Sequence, residues 1–209
     1  MLEFTLVATT SILFVVDPLG LVPTFLVMTG ADTPAVRRSL ALRAAAIATV
    51  TLLIFALCGG YVLRIFGVSL PAFRIAGGVV LMLVALDMMR ALRLTQEGPD
   101  EVAEGTAKQD IAVTPLAIPM LAGPAAMSTV TMLIHQARSW PQVAIVLGVI
   151  VLTGLVSYGT LLLAEPLSRW LGNTGIHVVS RIMGLVLLAI SIQFILDGLH
   201  QAGIPAIAQ

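Results

Sequence analysis

Residues 44–63, 111–134 and 143–164 of this chain contain no Asp, Glu, Lys or Arg. Each run reaches or exceeds the roughly 20 apolar residues that a helix needs to cross a hydrocarbon core about 30 Å thick. A helix on the surface of a soluble domain would show a polar face within that length. Three more stretches are almost as oily: 4–30 is interrupted only by Asp17, 70–89 contains Arg74 and Asp87, and 178–199 contains Arg181 and Asp197. The pattern predicts an all-α membrane protein with six transmembrane helices. With 58% hydrophobic and 11% charged residues, the chain stands far from the roughly 25% charged residues of soluble domains. Zero net charge and the lack of a basic stripe argue against nucleic acid as a partner and leave the lipid bilayer as the expected surroundings.

The start, MLEFTLVATTSILFVVDPLG, has no basic segment and carries an acid inside its apolar run, so it reads as a retained span rather than a cleaved signal. With the N-terminus outside, the inward loops hold Arg37, Arg38, Arg43, Arg90, Arg93, Lys108, Arg169 and Arg181, and the outward side keeps Arg64, Arg74 and Arg138. That bias predicts a multi-pass inner (plasma) membrane protein with both termini outside. Cys58, the single cysteine, rules out an intramolecular disulfide.

The only long polar stretch is residues 95–110, TQEGPDEVAEGTAKQD, and it falls at mid-chain. Laid over the first half at an offset near 106, the second half pairs DPLGLVPTF with GPAAMSTVT, LRIFG with SRWLG, and RIAGGVVLML with RIMGLVLLAI. Three matches in one order indicate an internal duplication. We read residues 1–94 as one three-helix repeat, 95–110 as a cytoplasmic linker and 111–209 as a second repeat. After three crossings the second copy enters from the opposite side, so the copies are inverted, a plan recurrent among secondary transporters. A duplicated bundle without transport is the plainer alternative.

In the first run, FVVDPLGLVPTF sets Asp17, Pro18, Gly20 and Pro23 inside an apolar segment. Proline removes a backbone donor and glycine loosens the chain, so the helix should break here. IPMLAGPAAMST brings Pro119, Gly123 and Pro124 to the equivalent depth in the second repeat. A break inside a bilayer is tolerated only where it is buried in protein or lines a wet cavity. The helix that resumes beyond a break offers free N–H groups and partial positive charge, and Pro18 and Pro124 suit the first turn of such half-helices. Small and hydroxyl residues, among them Thr24, Ser128 and Thr129, leave room between the breaks for a small ligand. An ionised Asp17 at mid-bilayer would cost roughly 2.5–3.5 kcal/mol or more, so it should face the bundle interior. Withdrawal from water favours the protonated acid, which makes Asp17 the expected proton-coupling residue. Capping the half-helix is the plainer role for an Asp before Pro and is compatible with binding; for the second motif the plainer reading is close helix packing through small residues.

VVDPLGLVPTF together with PLAIPMLAGPAAMSTVTML resembles the signature pair of the MarC family of prokaryotic inner-membrane proteins, and the likeness covers essentially the whole chain. The family includes SnatA-type transporters of glycine and other small neutral amino acids, thought to be proton-coupled. The resemblance implies a six-helix inverted-repeat fold, broken first and fourth helices, and a substrate held between the breaks. By position it assigns Asp17, Pro18, Gly20 and Pro23 to the first motif and Gly123, Pro124 and Ser128 to the second. Many members show Asn where this chain has Leu21 and Gly where it has Ala125.

The remaining polar residues invite ordinary readings. Arg74 and Arg181 head the third span of each repeat and should snorkel to an interface. Asp87 and Asp197 sit near span ends, Glu165 and Arg169 are spaced as a helix-face pair, and Trp140 and Trp170 are placed like interfacial anchors. The three histidines, His135, His177 and His200, lack metal spacing, so no metal and no cofactor is expected. The leading function is a secondary transporter of small zwitterions, with a small neutral amino acid as the molecular partner and a homo-oligomer compatible with the sequence. An intramembrane enzyme would need an activated nucleophile or a metal, and neither H-E-x-x-H nor G-x-S-x-G occurs. A structural or assembly protein would not need a broken helix in each half.

Overall fold

The computed structural model describes residues 1–30, 32–90 and 112–203. The 95–110 stretch lies outside the described residues, as do the side chains of Asp87, Arg169 and His177. All the regular structure among the described residues is helical: α1 (Leu2–Val16), α2 (Val22–Met28), α3 (Pro34–Ile65), α4 (Leu70–Arg90), α5 (Val113–Leu121), α6 (Pro124–Gln136), α7 (Trp140–Leu162) and α8 (Ala164–Gln201). Among the described residues three helical segments are long and apolar enough to cross a membrane, Pro34–Ile65, Trp140–Leu162 and Arg181–Gln201, and Leu2–Val16 and Leu70–Leu86 are shorter apolar helices.

Small residues line the closest helix contacts. Along α3 the buried stripe is mainly alanine, with Ala41, Ala44, Ala45, Ala48 and Ala56, while Val50, Ile54, Leu57, Tyr61 and Ile65 point outward. Large apolar side chains outside and small ones inside is the pattern expected where the solvent is lipid and helices gain by close van der Waals approach. Trp140 and Trp170 are both exposed. Glycines set the closest crossings: a Cβ on Gly154 of α7 would lie 2.0 Å from Thr49 Oγ1 on α3, and one on Gly78 of α4 would lie 2.8 Å from the Ser191 carbonyl oxygen on α8.

The two halves of the chain interlock rather than stand side by side. The pair formed by α4 and α8 is the largest helix contact, followed by α3 with α7. The smaller contacts come in exchanged pairs: α1 packs on α7 as α5 packs on α3, and α4 packs on α6 as α2 packs on α8. Gly67 and Gly172, which end the aligned segments LRIFG and SRWLG, both adopt left-handed backbone, with φ of 65° and 63°. Gly67 separates α3 from α4, and Gly172 makes a kink inside α8.

One sequence expectation is corrected. Arg74 does not snorkel: it is 8% exposed and paired with Asp197, because α4 and α8 run closely antiparallel and bring the two charges into register. Glu165 also binds Arg37 across helices at 2.9 Å, since the α7–α8 junction sets it beside the start of α3; its expected pairing with Arg169 falls on a side chain outside those described.

Candidate functional site

Two interruptions divide helical segments where the sequence places proline and glycine. The first follows α1. Asp17 caps that helix in left-handed conformation, φ 43° and ψ 66°, which Asp tolerates better than most residues. Its N–H donates to the Leu13 carbonyl at 3.0 Å, and its Oδ1 accepts the Gly20 N–H at 3.0 Å. That bond closes the turn rather than capping α2, whose N-cap is Leu21 with no side-chain cap bond, and it uses one carboxyl oxygen. The other, Oδ2, is buried with no hydrogen-bond partner. Gly20 makes that arrangement possible, for a Cβ there would lie 2.0 Å from Asp17 Oδ2 and 2.9 Å from Met88 Cε.

Pro18 is buried within the turn, and α2 starts at Val22 with Pro23 in its first turn. The expectation that Pro18 opens the half-helix is thus corrected: the Asp17–Gly20 bond closes a separate turn first, and helix resumes beyond it. With only seven residues, α2 carries too little dipole to match the second half-helix.

The second interruption is built differently. α5 is a π-helix, closed by an N–H of Ala122 donating to the Ala117 carbonyl five residues back at 2.8 Å. Gly123 is extended, with φ −77° and ψ 169°, and Pro124 stands in the first turn of α6. No side chain caps this 13-residue helix, so amides of its first turn have no partner within it. Gly77 lets α4 lie against that turn, since a Cβ there would be 3.0 Å from Ala125 Cα.

Between the interruptions is a cavity of ≈ 80 Å³. At 10–15 Å³ per water it holds on the order of five waters, comparable to the five non-hydrogen atoms of glycine. Asp17, Gly20, Leu21 and Thr24 line one wall, Met120, Gly123, Pro124, Ala125 and Ala126 another, and α4 and Leu187 of α8 complete it. A bare carboxylate oxygen on one side and uncapped helix amides on the other, in an apolar surround, suit a molecule that carries both a cation and an anion. A larger open recess of ≈ 580 Å³, lined by Phe4, His135, Gln136, Arg138 and Gln142, lies away from both breaks.

Of the residues singled out in the sequence, Asp17, Gly20, Thr24, Gly123 and Pro124 meet at this cavity, whereas Pro18, Pro23, Ser128 and Thr129 do not line it. Thr129 Oγ1 donates to the Ala125 carbonyl at 2.9 Å, and the buried Ser128 hydroxyl has no partner. The wall from α4, Val80, Leu81, Val84 and Met88, went unnoticed in the sequence. Its helical spacing is the signal that could have found it, but an apolar face in an apolar span has nothing polar to mark it. Leu21 and Ala125, the two places where the sequence departs from the motif it resembles, both line the cavity.

The chain matches the MarC family integral membrane protein description over residues 2–202. It is 35% identical to a UPF0056 membrane protein of Methanocaldococcus jannaschii, covering 96% of this chain and 98% of that one. It is also 35% identical to the UPF0056 membrane protein YhcE of Escherichia coli, over 88% and 86%, and 33% identical to a UPF0056 membrane protein of Aquifex aeolicus, over 90% and 89%. No solved structure matches it.

Proposed function

The chain belongs to the MarC family of integral membrane proteins, and from that premise we propose that it is a secondary transporter of small neutral amino acids, coupled to protons. The observation that carries this reading is the unpartnered Asp17 Oδ2 at a small cavity closed on its far side by the uncapped start of α6. The substrate ammonium binds Asp17, and the substrate carboxylate binds the first-turn amides of α6. Proton exchange at Asp17 couples the substrate to the gradient: the carboxylate holds the ammonium, and protonation releases it. The apolar lining from Leu21, Val84, Met88 and Leu187, relieved only by the Thr24 hydroxyl beside Asp17, and the small volume restrict the substrate to small neutral amino acids.

Six spans in two inverted repeats fit the interruption in each half, the exchanged helix pairs and the left-handed glycines at equivalent places. In this reading α1 with α2 forms the first span and α5 with α6 the fourth, and the protein sits in the inner (plasma) membrane with both termini outside. The deciding experiment is counterflow of radiolabelled glycine in proteoliposomes with and without a proton gradient. Saturable exchange that responds to the gradient is expected; no exchange above protein-free liposomes overturns the reading.

A further inference from the structure

Two arginines clamp the molecule at opposite ends. Arg37 stands at the start of α3 and Arg74 near the start of α4, and the 32-residue α3 separates the two ends by about 48 Å at 1.5 Å per residue. At one end the Arg37 guanidinium donates to the carbonyls of Thr29 at 2.9 Å and Gly30 at 3.1 Å, just beyond α2, and to Glu165 at the start of α8 at 2.9 Å. At the other end Arg74 pairs with Asp197 of α8, donates to Met132 Sδ of α6 at 3.0 Å and stacks its guanidinium 5.2 Å from the Phe194 ring centre. Gln193 steadies Asp197 through a 2.6 Å hydrogen bond.

Each arginine therefore grips the far part of one half-helix and ties it to α8, in the opposite half of the chain from the arginine itself. The near ends of those same half-helices, around Leu21–Thr24 and Pro124–Ala126, form the cavity walls. Both pairs are only partly withdrawn from water, with side-chain exposures of 20% and 39% for Arg37 and Glu165 and of 9% and 35% for Arg74 and Asp197. Arg74 Nε is buried with no partner. One donor of Arg74 thus goes unmet in this state, so the tie is less than fully satisfied.

We propose that Arg74–Asp197 and Arg37–Glu165 are two gates, each closing the cavity toward its own membrane face by tying one half-helix to α8, α2 directly and α6 through Arg74 of α4. Breaking one pair frees its half-helix to tilt and opens the cavity on that side only. This rests on the transport reading for its purpose but not for its test.

The test reads access to the cavity. In a Cys58→Ala background, Thr24→Cys places a single thiol on the cavity wall, and a membrane-impermeant charged methanethiosulfonate is applied from either face of oriented vesicles. Arg74→Gln should raise the labelling rate about tenfold from the Arg74 face and leave the Arg37 face unchanged, and Arg37→Gln should do the reverse. Asp197→Asn, which keeps the side-chain volume, should reproduce Arg74→Gln, and the exchange Arg74→Asp with Asp197→Arg should restore slow labelling. Unchanged labelling, or equal acceleration from both faces, overturns the gates. Altered labelling of these variants, with no glycine counterflow by the protein that keeps Thr24, overturns the transport reading alone; counterflow by that protein with unaltered labelling of the variants overturns the gates alone.

Discussion

Asp17 gives one carboxyl oxygen to the turn and leaves the other without a partner, and the role proposed for the bare oxygen can be tested by changing one atom. Asn tolerates left-handed backbone and keeps an Oδ1 to accept the Gly20 N–H, so Asp17→Asn should fold and insert normally. What it loses is the charge at Oδ2. Hydrogen bonds to charged groups contribute roughly 1.5–3 kcal/mol, so glycine affinity should fall roughly ten- to hundredfold, and the response of uptake to a pH gradient should vanish. Binding by isothermal calorimetry and gradient-driven uptake measure the two effects separately. Gly20→Ala attacks the same oxygen from outside. Gly20 is not among the positive-φ glycines, so its backbone accepts alanine, but the added methyl takes the space of Oδ2 and the Met88 methyl. Normal yield with loss of counterflow at least as deep as that of Asp17→Asn is expected; undiminished counterflow would show that the carboxyl position is immaterial.

At the scale of elements, small residues govern how closely the helices cross. Gly148 and Gly154 lie on the same helix, α7, yet a Cβ at Gly148 meets nothing within 4 Å while one at Gly154 overlaps Thr49. Thr49 cannot swing away freely: its Oγ1 is bonded to the Ala45 carbonyl at 2.7 Å, and its Cβ is itself only 3.2 Å from the new methyl. Gly154→Ala should therefore push α7 from α3 and cost about 1–3 kcal/mol, whereas Gly148→Ala should be neutral or stabilise by up to about 1 kcal/mol. Thermal unfolding in detergent separates them. The sequence reveals such elements unevenly. Charge-free runs mark α3 and α7, and Pro with Gly marks both interruptions, because those signals are local in the chain. The resumption of helix at Val22 rather than at Pro18 was hidden, since it depends on the Asp17–Gly20 bond closing a turn first. The ion pairs were hidden for a different reason: Arg74 and Asp197 are 123 residues apart, Arg37 and Glu165 128, and only the packing of α8 brings them together.

For the molecule as a whole, those long-range pairs also constrain which parts share a face. Arg37 and Glu165 must lie at one face, joining the α2–α3 and α7–α8 connections, and Arg74 and Asp197 toward the other, near the α3–α4 connection and the end of α8. Fixing the side of any one of these segments therefore fixes the rest. The basic residues choose the side: Arg37, Arg38, Arg43 and, at the end of α4, Arg90 belong to the first face, with Arg93 and Lys108 following Arg90 in sequence, against Arg64, Arg74 and Arg138 at the second. Positive charge is retained on the cytoplasmic side, so the C-terminus after α8 should face outward and the 95–110 segment inward. Alkaline phosphatase fused after Gln209 should be active, and the same enzyme inserted within 95–110 should be silent, with a fluorescent-protein fusion giving the opposite pattern. If both sites report the same side, α5 through α8 do not cross the bilayer an odd number of times, and the inverted arrangement of the two halves fails with them. Opposite sides with reversed polarity would leave the arrangement standing and overturn only the orientation, placing the Arg37 gate outside and the Arg74 gate within.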